Sequence, residues 1–187
     1  MTAFRQIAFV SSSLSDDVRR LSQLGASNWI HDTVDAVHLW EHEPDPDART
    51  FGVRLAFNYE LFPDKELELI QLLEGRTCQL ISLRAVAVWP RVVSHVGYHV
   101  SDYVSDPDAI EREIVYWHGL GSPCLQVSQT VRHAGTSQRY RYAFVFDQHF
   151  PQPMWVKIIQ RIGNKDDVPS VDEGRNRFRF LGAGDGQ

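Results

Sequence analysis

The alternation of apolar and polar residues divides this chain into short strands and two amphipathic helices, laid out in the same order twice. Arg5 to Ser11 reads as a first strand, bounded by the serine cluster Ser11-Ser12-Ser13. From Asp16 to Gly25 the apolar residues fall at helical spacing. Acidic residues open that segment and a glycine closes it, which suits the helix dipole and a C-cap. A second strand is expected over about Ala36 to His42, where Val37 and Leu39 alternate with His38 and Trp40. A Pro- and Asp-rich loop, Glu43 to Arg49, leads to a third strand, Phe51 to Tyr59. Leu67 to Leu72 makes a fourth, ending at Glu74-Gly75, so the order is βαβββ.

The second half repeats that order. Ser94 to Ser101 is a strand, Asp106 to Trp117 a helix, and Gly119-Leu120-Gly121 the break after it. Cys124 to His133 is expected as the next strand, with a turn at Ala134-Gly135. Arg139 to Asp147 alternates strongly through Tyr140, Tyr142, Phe144 and Phe146, and Trp155 to Ile162 is the last strand. The correspondence extends to single positions. Gln6-Ile7-Ala8-Phe9-Val10 recurs as His95-Val96-Gly97-Tyr98-His99, and Leu67-Glu68-Leu69-Ile70-Gln71 as Val156-Lys157-Ile158-Ile159-Gln160. Gln6 to His95 and Glu68 to Lys157 share one offset of 89 residues. A common offset points to a duplicated module of roughly eighty to ninety residues. The expected division is a first module at 1–76, an apolar crossover at 77–93, a second module at 94–163, and a polar, partly disordered tail at 164–187. The crossover carries Ile81, Leu83, Val86, Val88 and Trp89, so it reads as an extra strand or packed segment, although Pro90 interrupts it. Phe178, Phe180 and Leu181 could dock the tail as a short strand.

Composition narrows the function classes. The chain has 187 residues, 43% of them hydrophobic and 11% aromatic, enough for a packed core. A net charge of −5 without a long basic run argues against a nucleic-acid partner, which needs clustered Lys and Arg. The apolar run at the N-terminus is too short for a signal peptide, and no stretch approaches the roughly twenty residues that span a bilayer. A soluble cytoplasmic protein is expected, with no membrane partner. Cys78 and Cys124 are too few for a zinc cluster or a disulfide framework and read as buried thiols. GxGxxG, phosphate-loop, GxSxG and HExxH patterns are absent from the sequence, so nucleotide-binding and hydrolase readings have no motif support.

A doubled βαβββ unit with a polar residue early in each first and fourth strand resembles the vicinal oxygen chelate superfamily. That group includes glyoxalase I, methylmalonyl-CoA epimerase, extradiol dioxygenases, and fosfomycin and bleomycin resistance proteins. The resemblance rests on the four segments quoted above and covers about residues 4 to 162. It implies an α+β fold of two tandem βαβββ modules, forming a glyoxalase-like curved sheet around a central cleft that binds a small molecule. Modules of this type pair within one chain or swap between chains, so a monomer or a homodimer is implied. It further implies one divalent metal (Zn, Mn, Fe, Ni or Co), with Gln6, Glu68 and His95 in three ligand places, and an isomerase, lyase or dioxygenase activity. Lys157 stands where the family usually has Glu, and a protonated lysine offers no lone pair. The alternative is a metal-free protein that binds or sequesters a small molecule, as the resistance proteins do, with a Glu68–Lys157 ion pair in place of the metal. Glu68 and Lys157 are the candidate catalytic groups.

Other residues extend the candidate site. His99 shares a strand face with His95, while Arg54 and Arg141 occupy matching third strands; with Lys157, these three are candidate contacts for an anionic substrate. His38 and His42, spaced to share a face with Trp40, form either a metal-binding row or a half-buried surface. The aromatic face of Tyr140, Tyr142, Phe144 and Phe146 either lines the cleft or packs the core. Tyr98, opposite in facing to His95, is expected against a helix.

Overall fold

Alternating strands are two-sided, so a sheet of them can bury one face under helices and fold the other upon itself. The computed structural model describes residues 4–34, 39–41, 51–62, 64–75, 93–101, 105–128, 131–132, 139–147 and 154–162. The readings made for His38, His42, Cys78, the crossover as far as residue 92 and the tail from residue 164 fall outside those residues.

The elements run β1 (Gln6–Val10), α1 (Leu14–Gln23), β2 (Ile30–Val34), β3 (Leu39–Glu41), β4 (Phe51–Asn58) and β5 (Glu66–Gly75). They continue as β6 (Val93–His99), α2 (Ala109–Gly119), β7 (Cys124–Ser128), β8 (Val131–Arg132), β9 (Arg139–Asp147) and β10 (Met154–Ile162). Ser13 precedes helix α1 in an extended conformation, and its hydroxyl donates to Asp16 at 2.9 Å. Gly25 (φ 103°) and Gly121 (φ 82°) follow the two helix ends in the left-handed region that a residue without Cβ adopts freely.

One sheet contains all ten strands, in the order β2-β4-β5-β1-β6-β10-β9-β7-β3, with β8 paired to β9. Apart from β3 and β8, the two halves mirror each other about the antiparallel β1–β6 pair. The register repeats too. Gln6 lies opposite Glu66 in the parallel β1–β5 pair, and His95 opposite Trp155 in the parallel β6–β10 pair. This is the α+β, glyoxalase-like arrangement of two βαβββ units.

The second strand of the first unit departs from expectation. The strand that pairs with β4 is Ile30–Val34, a stretch whose His31 and Asp32 mask its pattern. Within the expected 36–42 segment, Leu39–Glu41 does form a strand, but it pairs with β7 at the far end of the sheet. The alternation correctly signalled a strand; it carried no information about the partner. The pairing has a geometric consequence. β2 and β3 sit at opposite ends of a path of nine strands, about 38 Å long if flat at 4.8 Å per step. Yet only residues 35–38 separate them, a reach of roughly 18 Å. The sheet must therefore curve. Tyr142 of β9 confirms it by packing against Val10, Val53, Leu55, Phe57 and Ile70 of β1, β4 and β5.

The convex face carries the helices. Leu14, Val18 and Leu21 of α1 cover Ala56, Leu67 and Leu69. Ile110, Ile114 and Trp117 of α2 cover Tyr98, Val127, Ala143, Val145, Val156 and Ile158, and Cys124 packs at the margin. Tyr98 therefore faces a helix, and its hydroxyl accepts from Trp117 Nε1 at 2.7 Å while donating to Glu113 at 2.6 Å. Among the described residues, no helix is long and apolar enough to cross a membrane.

Candidate functional site: a buried ion-pair network on the concave face

Four strands meet at the middle of the concave face, and each contributes one polar residue. Gln6 comes from β1, Glu68 from β5, His95 from β6 and Lys157 from β10. Gln6, Glu68 and His95 are 2%, 1% and 0% exposed, while the Lys157 side chain keeps 12%. A buried charge survives only with partners, and the partners are present. Lys157 Nζ lies 3.1 Å from Glu68 Oε2 and 3.4 Å from Oε1. His95 Nε2 lies 3.0 Å from the same Oε2 and 3.1 Å from Gln6 Oε1. Gln6 Nε2 in turn donates to Glu66, its cross-strand partner.

These contacts determine the protons. Both neighbours of His95 Nε2 are acceptors, so that nitrogen carries the hydrogen and donates it. Nδ1 then accepts from Ser94 Oγ at 3.1 Å. Burial drives the imidazole below its ordinary pKa, and the Lys157 charge adds to that effect against the pull of Glu68. The ring is neutral. Burial alone would raise Glu68, but the Lys157 ammonium and then the His95 N–H outweigh it and hold the carboxyl down to about 2.

Aromatic rings close the site. Phe144 meets the His95 ring edge-on with centroids 5.1 Å apart. Lys157 Nζ stands 5.2 Å from the centre of the Tyr142 ring, which packs edge-on against Phe144 at 5.6 Å. Phe146 lies against Trp155, and Tyr140 against His99. The aromatic face of β9 thus borders the polar network. Gly97 is opposite both Gln6 and Lys157, and its lack of a side chain makes room for the carboxamide. A Cβ there would stand 2.9 Å from Gln6 Oε1.

The sequence candidates separate cleanly. Gln6, Glu68, His95 and Lys157 come together, and His99 lies further along the same face. Arg54 and Arg141 do not join them, because strand parity turns both toward the convex side. Arg54 is exposed, and Arg141 is buried in an ion pair with Glu111 of α2 at 3.2 Å. Glu66, Ser94 and Gly97 contribute from outside the sequence candidates, as do two residues at the edge of the site: Tyr59, whose hydroxyl donates to Glu66, and Arg161, whose charge acts on His99. Glu66 and Arg161 were findable from period-two spacing, each being a same-face neighbour of Glu68 or Lys157 along its strand. A separate apolar cavity of about 170 Å³ lies on the α1 side, lined by residues that include Leu21, Leu24, Phe62 and Leu67.

Gln6, Glu68 and His95 are the donors for the divalent metal that the resemblance implies. Gln6 Oε1 and Glu68 Oε2 lie about 3 Å from His95 Nε2, a spacing that neighbouring ligands of one ion share. The protonation does not suit such an ion. An ammonium already sits beside the only carboxylate of the four, and His95 would have to move its hydrogen to Nδ1, on the Ser94 side, before Nε2 could offer a lone pair. Among the described residues, no group of three or more His, Cys, Asp or Glu could hold a metal. The residues present fit one ammonium better than a dication.

No known family profile and no curated protein sequence matches this one. The fold is similar to that of methylmalonyl-CoA epimerase from Mycobacterium tuberculosis, with 13% identity and a TM-score of 0.49 over 87% of this chain and 89% of that one. It is also similar to a variant methylmalonyl-CoA epimerase from Streptomyces coelicolor in complex with 2-nitronate-propionyl-CoA (15%, TM-score 0.49, 91% and 99%). A variant 4-hydroxymandelate synthase from Streptomyces coelicolor matches at 12% and 0.46 over 88% of this chain and 50% of that one. At such distance the likeness is one of chain path, and the chemistry belongs to this chain's own side chains.

Proposed function

We propose that this chain is a metal-free small-molecule-binding protein on a glyoxalase-like scaffold, in which Lys157 supplies the positive charge of the central site. One observation supports this reading above the rest: Lys157 Nζ is 3.1 Å from Glu68 Oε2, inside a network whose protons are already assigned. The pair is largely buried, and Lys157 keeps 12% of its side chain exposed, so the ammonium stays within reach of an approaching ligand. Tyr142, half-buried beside it, and Tyr140, further along the same face of β9, supply rings for a planar or aromatic group.

A thermal-shift screen of small anionic and aromatic compounds tests the reading. Binders are expected whose stabilisation disappears in Lys157→Ala. Binders unaffected by that substitution but lost on filling the α1 cavity, for example in Leu21→Trp, would relocate the ligand and refute the central site. The second reading, a divalent-metal isomerase, lyase or dioxygenase, draws on the close spacing of Gln6, Glu68 and His95. It requires His95 Nε2 to lose its hydrogen and Lys157 to withdraw, so it predicts stoichiometric metal in protein prepared without chelator.

A further inference from the structure

We infer that the outer end of the concave face is a binding site for an aryl monocarboxylate, seated by Arg161 and His99 against the Tyr140 ring. The inference deepens the ligand-binding reading above and rests on it. Strand register places the groups. Along β10, Lys157, Ile159 and Arg161 are alternate residues and share one face. Across the β9–β10 pair Arg161 is opposite Tyr140, and across the β6–β10 pair Ile159 is opposite His99. The His99 and Tyr140 rings meet edge-on, with centroids 6.4 Å apart and planes at 69°. Arg161 and His99 are exposed and Tyr140 is half-buried, so the cluster forms a rim above the buried network.

Its electrostatics are asymmetric. His99 lies in the field of Lys157 and Arg161 from β10 and of Arg5 before β1; these add to partial burial of the ring, the largest cause, in lowering its pKa, while Glu66 opposes them. On the β5 side Glu66 accepts from Gln6 and from the Tyr59 hydroxyl. A guanidinium offers a carboxylate two parallel N–H donors, and an imidazole beside it adds a third. The Tyr140 ring gives a flat group a surface to pack against. Glu66 limits the charge that fits. A second carboxylate at the far end of the ligand would face the Glu66 anion, which already accepts from Gln6 and Tyr59, so one acidic group is favoured over two.

The test is a titration of the full chain with benzoate, phthalate, benzyl alcohol and acetate, followed through the ring resonances of His99 and Tyr140. It is run on wild type, Arg161→Gln, His99→Gln and Lys157→Ala. Benzoate is expected to shift both rings saturably, and to bind about tenfold more weakly in Arg161→Gln, the effect of one lost charge-assisted interaction. Benzyl alcohol, acetate and phthalate are each expected to bind more weakly than benzoate. Absence of a saturable benzoate shift at His99 and Tyr140 overturns the inference, as does equal affinity in Arg161→Gln. Arg161 is exposed, so that variant should fold, and its thermal midpoint checks this. If a compound from the wider screen depends on Lys157 but is indifferent to Arg161 and His99, the rim is refuted while the central reading stands.

Discussion

Replacing Lys157 with methionine removes the ammonium while keeping most of the stem, and so isolates the charge. In the native network Glu68 has two side-chain partners from other strands, Lys157 at 3.1 Å and His95 at 3.0 Å, and is 1% exposed. Deleting one member of a buried pair leaves an uncompensated charge and costs about 3–5 kcal/mol. Lys157 retains some water contact, so the lower end, about 3 kcal/mol, is expected. For a chain of this size that is a drop in thermal midpoint of about 6–12 °C. The pH dependence carries a second signature. With the ammonium gone, Glu68 loses the strongest influence holding it down, and His95 loses a positive neighbour that lowers its pKa. Both groups then bind a proton more readily, so the deficit of the variant should shrink as pH falls from 7 to 5. Thermal unfolding of wild type, Lys157→Met, Glu68→Leu and the double variant measures all of this in one series. The double variant removes both charges and should recover much of the loss. A single-variant cost below about 1 kcal/mol, or strictly additive effects, would refute a buried, mutually dependent pair.

Gly97→Ala should destabilise by about 1–3 kcal/mol, because its Cβ would stand 2.9 Å from Gln6 Oε1 and 3.2 Å from the Lys157 carbonyl oxygen. Adding Gln6→Ala should return part of that loss, and no recovery in a chemical-denaturation cycle would contradict the close approach. Acid should weaken the wild type in two stages. His95 has a lowered folded pKa, so its contribution is complete above its ordinary 6.5 and is lost as pH falls below it. Glu68 lies at about 2 when folded against 4.5 ordinarily, so its share is present above 4.5 and lost between there and 2. In a pH series of unfolding free energies, Glu68→Gln should remove the lower stage.

The site was unusually legible because each of its four groups sits at a repeated position. Gln6 and His95, like Glu68 and Lys157, are polar residues at matched positions of the two modules, each followed directly by an apolar residue, and an inward facing explains such placement twice at one spacing. Arg54 and Arg141 were harder to place, since a strand pattern fixes which residues share a face but not which face is concave. Glu111 on α2 settles Arg141, and no local feature of β9 announces that partner. The second strand failed for a related reason. Leu39–Glu41 looks like a strand and is one, but its partner β7 is far away in sequence, while Ile30–Val34 hides behind His31 and Asp32. Protonation was the least visible property. It depends on which acceptors surround His95 Nε2, and those are set by register across three strand pairs.

The most direct test of Lys157 as the cation of the site is the metal content of untagged wild type and Lys157→Glu, both purified without chelator and analysed for all first-row divalent ions. Wild type should carry far less than one equivalent. Lys157→Glu removes the ammonium and adds a second carboxylate beside Gln6, Glu68 and His95, and should take up close to one equivalent. One equivalent of metal in the wild type, lost in Glu68→Ala and His95→Ala, would contradict the account and make Lys157 a neighbour of the ion rather than its replacement.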